Sequence, residues 1–472
     1  MWIGLVPGKP GRLNPLSFGC RFLGVCHIQF KFAMRKTLLF ILIATSLGAV
    51  SSDAVAQKTI SDLERAIINH IDSRSDQALQ LLEKAVNINS GSLNPEGVRE
   101  VGRVFAKEFD SIGFDTRWVD GSAFNRAGHL VASRKGDGPH FVMIGHLDTI
   151  FEPDSPFQKY EQLSDSTARG PGVSDMKGGN VIILEALRAL DAVGALGHMT
   201  VTVVLIGDEE SSGRPLDVSR KVLLEAAESA DIALAFENGD DQIDTAVIAR
   251  RGFTGWELEV TGKPGHSSQV FKENMGYGAV YEAARILSSF YQELEGEENL
   301  TFNPGVIVGG TTIDYDAAKS SGTAFGKTNV IAERTTVAGD LRTLTIEQRE
   351  SAKDRMRTIV SQHLNGTTAE ITFSDGYPPL GPTDGNRRLL SMLDQTSRDL
   401  GFGGVSAVDP SEAGAADVSF TAGLVDMALD GLGLLGEDNH TVNETADLNL
   451  LPIQAKRAAI LMHRVATTDG TE

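Results

Sequence analysis

The chain has 472 residues, 41% of them hydrophobic and 22% charged, with 50 glycines and 16 prolines, a globular composition that excludes a disordered, collagen-like or coiled-coil protein. Asp and Glu outnumber Lys and Arg by 63 to 43, a formal charge of −20, so a grip on nucleic acid or anionic lipid would work against the protein's own field. The only cysteines, Cys20 and Cys26, precede a segment expected to be removed, which leaves neither a disulfide framework nor a cysteine metal site for the fold.

From Met34 the chain reads Met-Arg-Lys-Thr, then an apolar run from Leu38 to Val50, then Ala54-Val55-Ala56. A basic start, a short apolar stretch and a small-x-small site form a secretory signal peptide, and the run is too short for a spanning helix, which needs about 20 residues. The expectation is a start at Met34, an over-extended reading of residues 1–33, cleavage after Ala56, and an acidic protein in the periplasm or secreted, with no stable membrane anchor.

At roughly 100 to 200 residues per domain, two domains are expected. Thr59 to Val86 carries apolar residues at helical spacing, ended by Asn89-Ser90-Gly91, and reads as one or two amphipathic helices; Val98 to Ile112 reads as another. Phe141 to Ile144, Val201 to Ile206 and Ile232 to Phe236 are short apolar runs of strand type, separated by helix-like Val181 to Val193 and Val218 to Ala227. Alternation of buried strands and helices implies a mostly parallel sheet with helices on both faces. Near Arg251 the texture changes. Gly255 to Thr261, Gly305 to Val308 and Asn329 to Leu341 read as strands, and Tyr277 to Leu294 and Ile346 to Leu364 as helices, a small α+β insert over residues 251–366. Helix and strand patterns return at Arg387 to Asp399, Val425 to Leu434 and Ile453 to Thr467, so residues 57–250 and 367–472 together are expected to form the α/β domain.

Open parallel sheets bind ligands at the carboxyl ends of their strands. Here the runs are followed by Gly145-His146-Leu147-Asp148, by Gly207-Asp208-Glu209-Glu210, by Glu237, and late in the chain by Gly436-Glu437-Asp438-Asn439-His440. Between the first two lies Gly170-Pro171-Gly172-Val173-Ser174-Asp175-Met176-Lys177-Gly178-Gly179, a glycine-rich loop entering a helix. Such a loop could cradle a phosphate, but Asp175 at its centre would repel one. Singly, each element has an ordinary reading: a surface His-x-Asp pair, a solvated acidic turn at Glu209-Glu210, a loop histidine at position 440. Together they form a nitrogen and oxygen donor set without thiolate, suited to zinc, cobalt or manganese, and two divalent ions sharing one carboxylate would use about two histidines and three carboxylates. Asp148 could hold the His146 tautomer. Adjacent Glu209 and Glu210 could divide labour, one on metal and one on a proton.

Those segments, with Gly-Lys-Pro-Gly-His-Ser-Ser at 262–268, resemble the di-zinc exopeptidase and amidohydrolase family that includes bacterial glutamate carboxypeptidase, acetylornithine deacetylase, succinyl-diaminopimelate desuccinylase and aminoacylase. The resemblance covers essentially residues 60 to 470. It implies an α/β catalytic domain interrupted by a dimerisation lid, and two Zn2+ per subunit, with Co2+ or Mn2+ as substitutes. It further implies that Asp175 bridges the metals, that His146 and Glu237 complete one site and Glu210 and His440 the other, that Glu209 is the general base, and that Asp148 orients His146. A glutamate at 237 is similar to the glutamate carboxypeptidase branch. In the lid, His266 matches an oxyanion-stabilising histidine that reaches a partner subunit's site, Asn329 lies in a segment supporting it, and Arg342 matches an arginine for the substrate carboxylate. A strand-surface salt bridge remains open for Arg342. Gly414 matches a segment whose backbone meets that carboxylate, although Ala415 and Ala416 depart from the usual pattern. The resemblance also implies a cis peptide between Asp175 and Met176. The function read from it is hydrolysis of a small peptide or N-acyl amino acid by a homodimeric carboxypeptidase, with a deacylase or dipeptidase as the alternative. A solute-binding protein would share the signal peptide and acidic surface, but has no use for Glu209 and Glu210 beside five candidate ligands.

Overall fold

The computed structural model describes residues 60–468; the expected signal peptide, start and cleavage site lie outside them. Of the one or two amphipathic helices expected over Thr59 to Val86, the structure has two, Asp62–Ser73 and Ser75–Val86. The first is fixed by a capping box: Ser61 Oγ accepts from Glu64 N, and the Glu64 carboxylate accepts from Ser61 N. The next, Pro95–Asp110, begins with proline in its first turn and Asn94 as its cap.

Six strands form the central sheet, in the spatial order Asp115–Asp120, Gly128–Arg134, Thr200–Ile206, His140–His146, Ile232–Ala235 and Met427–Leu429. Only Gly128–Arg134 runs against the others. Successive side chains of a strand point to opposite faces, and the sheet shows it directly. Phe141, Met143, Val201, Val203 and Leu234 join a core with helices Lys177–Ala192 and Leu450–Thr467, whereas Val142, Ile144, Val204 and Ala233 join a second core with Val222 and Leu223 of helix Lys221–Glu228. Helices therefore cover both faces. The expected strand Val425 to Leu434 keeps its ladder only over Met427–Leu429, because Gly431 turns the chain with φ +79°.

The smaller domain is an antiparallel sheet in the order Thr301–Gly310, Arg334–Thr343, Gly252–Gly262, Thr367–Asp375. Helices Ala279–Leu294 and Ile346–Val360 pack on it around a separate core of Trp256, Leu258, Phe290 and Met356. One boundary needs correction. Thr367–Asp375, expected to open the second catalytic segment, pairs with Gly252–Gly262 along its length, so the return to the central layer falls after Asp375 rather than at 366. Its alternation of exposed and half-buried residues is that of an edge strand. Among the described residues no helix is long and apolar enough to cross a membrane.

His129, on the reversed strand, is fully buried and stacked on Phe124 with ring centroids 5.1 Å apart. Its Nδ1 accepts from Gly207 N at 3.1 Å, which leaves the proton on Nε2, 2.9 Å from Ser219 O. Burial, aided by Arg220 and opposed by Asp208, lowers its pKa to about 4. The unfolded chain, with an ordinary imidazole pKa of about 6.5, takes up this proton first. Stability from neutral His129 is therefore complete above about pH 6.5 and is lost as pH falls from there toward 4, by about 1.4 kcal/mol per unit. Urea midpoints of chelator-treated protein should fall between pH 7 and pH 5, and more steeply for the wild type than for His129→Gln; equal slopes would remove His129 as the cause.

Candidate metal centre

Four of the five strands that run in the same direction deliver acidic or imidazole groups to one edge. His146 ends its strand, Asp208-Glu209-Glu210 follows Ile206, Glu237 follows the strand Ile232–Ala235, and Asp430 follows Leu429. Asp175 arrives from the other direction, two residues before helix Lys177–Ala192. That helix sits hard against the sheet because a Cβ on Gly179 would lie 2.1 Å from Phe236 O, one residue before Glu237.

Two groups of candidate ligands meet at Asp175. Its Oδ1 lies 3.0 Å from His146 Nε2, which is 3.6 Å from Glu237 Oε1. Its Oδ2 lies 2.9 Å from His440 Nε2, which is 3.2 Å from Glu210 Oε2. Within each group the ligand atoms fall inside 4.8 Å of one another. The donor set, one imidazole and two carboxylates per group with Asp175 shared, suits a pair of divalent ions with positions left open. The charge distribution agrees. Burial raises the Glu237 carboxyl well above its usual range, with Asp175 adding to the effect against His146. Hydrogen bonds to Asp175 and Glu210 hold the His440 imidazole up to about 11. Crowded acids under such strain are relieved by added positive charge.

The next layer positions these groups. Asp148 is fully buried; its Oδ1 accepts from Glu209 N at 3.0 Å and its Oδ2 from Glu210 N at 3.1 Å and Ser92 Oγ at 2.5 Å. Its carboxylate stands 3.5 Å from His146 Nδ1, which is nearer the Asp148 main-chain oxygen at 3.1 Å. Asp148 thus organises the Glu209-Glu210 turn as well as facing His146. The Glu209 carboxylate is engaged in no hydrogen bond or ion pair among the described residues, while burial, then nearby Asp417, raises its pKa well above the usual range. The glycine-rich loop does hold an anion, an internal one: the N–H groups of Gly172, Ser174 and Asp175 donate to the Glu444 carboxylate at 3.1, 3.1 and 3.2 Å. The Asp175–Met176 peptide is cis, as the resemblance implied.

A family model described as peptidase family M20/M25/M40 matches residues 142–464. The chain belongs to this family. It is a hydrolase of the peptidase and amidohydrolase class. Carboxypeptidase G2 of Pseudomonas sp. strain RS-16 is 24% identical over 436 residues, covering 91% of this chain and 98% of its own. A succinyl-diaminopimelate desuccinylase of Dechloromonas aromatica is 23% identical over 394 residues, covering 80% of this chain and 96% of its own. The fold is shared with aminopeptidase PepT of Bacillus cereus, with TM-score 0.65 and 18% identity over 83% of this chain and 99% of that one. It is shared too with the YXEP protein of Bacillus subtilis, described as a dinuclear metal binding peptidase, with TM-score 0.60 and 16% identity over 84% and 99% of the two chains.

In this M20 hydrolase the remaining candidates make their hydrogen bonds and ion pairs with residues outside the Asp175 cluster. His266 is exposed on its loop, with Nδ1 2.9 Å from Ser268 Oγ. Exposed Asn329 supports that loop through its main chain, its carbonyl accepting from Ser267 N at 2.9 Å. It precedes the expected strand, which starts at Arg334. Arg342 makes the salt bridge left open above, with Nε 2.9 Å from Asp340 Oδ2, and its guanidinium lies over Phe253 at 4.9 Å. Gly414 is exposed and its carbonyl accepts from Arg250 Nη1 at 2.8 Å.

Sequence reasoning missed a buried cation. Arg220 is fully buried; Nη1 pairs with Asp208 Oδ1 and Nε with Asp417 Oδ1, both at 2.7 Å, and Nη2 donates to Tyr377 Oη at 2.5 Å. It fastens the loop before Glu209 to the segment after Gly414. Within a helix-like stretch it reads as an ordinary surface arginine, and only the buried acids 12 and 197 residues away reveal otherwise.

Proposed function

We propose that this chain is a di-zinc exopeptidase of the carboxypeptidase kind, exported to the periplasm or secreted, that hydrolyses the amide bond of small peptides or N-acyl amino acids as a homodimer. One observation carries the reading: Asp175 divides its two oxygens between two imidazole–carboxylate groups, beside a glutamate whose carboxylate the protein leaves unengaged.

His146, Asp175 and Glu237 would hold one ion, and Asp175, Glu210 and His440 the other. When bound, two divalent cations supply Lewis acidity, acidifying water and polarising the scissile carbonyl. Glu209 takes the proton of the attacking water and passes it to the leaving amine. Its main chain is held on both sides, the N–H by Asp148 and the C=O by Tyr377 at 3.2 Å, so the carboxylate can work without the turn moving. His266 donates to the oxyanion, and Arg342 receives the substrate carboxylate with the planar geometry suited to it. The formal charge of −20 makes such a local cation necessary for an anionic substrate.

A panel of acyl-glutamates, dipeptides and N-acetyl amino acids, assayed with chelated and zinc-restored protein, tests the reading. The expected result is zinc-dependent release of a C-terminal amino acid, greatest among acyl-glutamates. Preference for N-acetyl or N-succinyl substrates would instead favour the deacylase reading that the desuccinylase relatives support, and hydrolysis by verified metal-free protein would defeat both.

A further inference from the structure

The two segments that join the smaller domain to the central layer run side by side. Arg250 N donates to Leu380 O and Leu380 N to Arg250 O, each at 2.9 Å, and Phe253 N donates to Tyr377 O at 2.9 Å. Main-chain bonds make this crossing, and each segment also sends a side chain toward the candidate centre, Tyr377 to the Glu209 main chain directly and Arg250 to the Glu237 main chain through Asp430.

On the outgoing segment, Arg250 is 5% exposed and donates from Nε and Nη2 to Asp430 Oδ2, both at 2.8 Å, and from Nη1 to Gly414 O at 2.8 Å. Asp430 is fully buried and turns its other oxygen to Glu237 N at 3.2 Å and Gly431 N at 2.7 Å. Arg250 thereby reaches the Glu237 backbone through one intermediary. On the returning segment, Tyr377 Oη donates to Glu209 O at 3.2 Å and accepts from Arg220 Nη2 at 2.5 Å. Its ring packs against Phe420 with centroids 5.0 Å apart, which fixes where Oη can lie. A phenylalanine at 377 would satisfy that packing, so the hydroxyl is there for its hydrogen bonds. A buried guanidinium is costly unless its donors are met, and Arg250 meets two of its donors on Asp430 and a third on Gly414.

We propose that Tyr377 and Arg250 are positioning residues that tie the attitude of the smaller domain to the main-chain placement of Glu209 and Glu237. The proposal rests on the metal-centre reading above. Glu209 is held by the central sheet through Asp148 and by the returning segment through Tyr377, so a shift between the two domains moves one anchor against the other. Such displacements matter, since misplacing a reacting group by about 1 Å can cost on the order of 100-fold in rate.

The test compares zinc-restored wild type with Tyr377→Phe and Arg250→Lys. Tyr377→Phe removes only the hydroxyl. Its kcat should fall by about 10- to 100-fold with KM within about threefold, two zinc ions retained, faster amide exchange in the peptide spanning residues 207–213, and a urea midpoint that falls but leaves the protein folded under assay conditions, because Arg220 Nη2 loses one acceptor and keeps Asp208 O and Ser212 Oγ, each at 3.2 Å. Arg250→Lys keeps the charge but cannot reach both Asp430 and Gly414; competition with a chelator should show one zinc site weakened by about 10-fold and the other unchanged. Wild-type kcat and exchange in Tyr377→Phe would overturn the proposal, as would a kcat loss matched by an equal loss of folded protein. Wild-type protein that holds no zinc would overturn the centre itself, a failure distinct from that of the positioning residues.

Discussion

Replacing Glu209 by glutamine should lower kcat by about 100-fold to 10,000-fold, the scale of losing a general base, while both metals stay bound. The neutral amide nearly preserves the side-chain shape but cannot take a proton from water. No ligand is lost, because neither candidate group uses Glu209, and the turn is retained, because Asp148 and Tyr377 hold its main chain. Glu210→Gln should behave differently: its Oε2 is 3.2 Å from His440 Nε2 in the second group, so one metal site weakens and activity returns with excess zinc. Elemental analysis beside steady-state kinetics reads both outcomes. Full metal in Glu210→Gln with half the metal in Glu209→Gln would reverse the two roles.

His266→Ala should cost about 100- to 1,000-fold in kcat, the range for a lost oxyanion donor. The residue is exposed, and its hydrogen-bond and bridge partners among the described residues lie within its own loop and at Val330. On the proposed reading, a symmetric dimer built through the smaller domain would let His266 complete the partner's centre in place of its own, and His266 would meet the reacting carbonyl only when the domains close. Mixing inactive His266→Ala with inactive Glu209→Gln then yields heterodimers with one doubly defective site and one intact site. After free exchange at equal concentrations, about a quarter of wild-type activity should return, since half the dimers are mixed and each has one working site of two. No recovery despite proven exchange would show that His266 acts within its own chain or not at all.

The centre was legible because each part announces itself locally. An apolar run reads as a buried strand, and a His, Asp or Glu directly after it lands on the ligand-binding edge, as His146, Glu210 and Glu237 do. What stayed hidden depends on distance along the chain. Arg220, Tyr377, Asp430 and Glu444 are single polar residues in unremarkable helices and loops, and their partners lie up to 272 residues away. Strand Asp115–Asp120 escaped because it has no fully buried position, and Gly128–Arg134 because His129 and Ser133 interrupt its apolar pattern. Thr367–Asp375 joins the smaller domain, contrary to the boundary expected at 366, because an edge strand's weak alternation does not say which sheet it joins.

In the proposed centre one carboxylate, Asp175, would hold two ions. Zinc titration of chelated protein, with bound metal and activity followed together, addresses it most directly when wild type is set beside Asp175→Ala. The wild type should bind two ions per chain and regain hydrolysis as they fill, and Asp175→Ala should lose tight binding at both positions at once, because Oδ1 faces one group and Oδ2 the other. Asp175→Ala that still binds two ions tightly, or wild-type protein that hydrolyses substrate with none, would rule out a shared Asp175 at a two-metal centre.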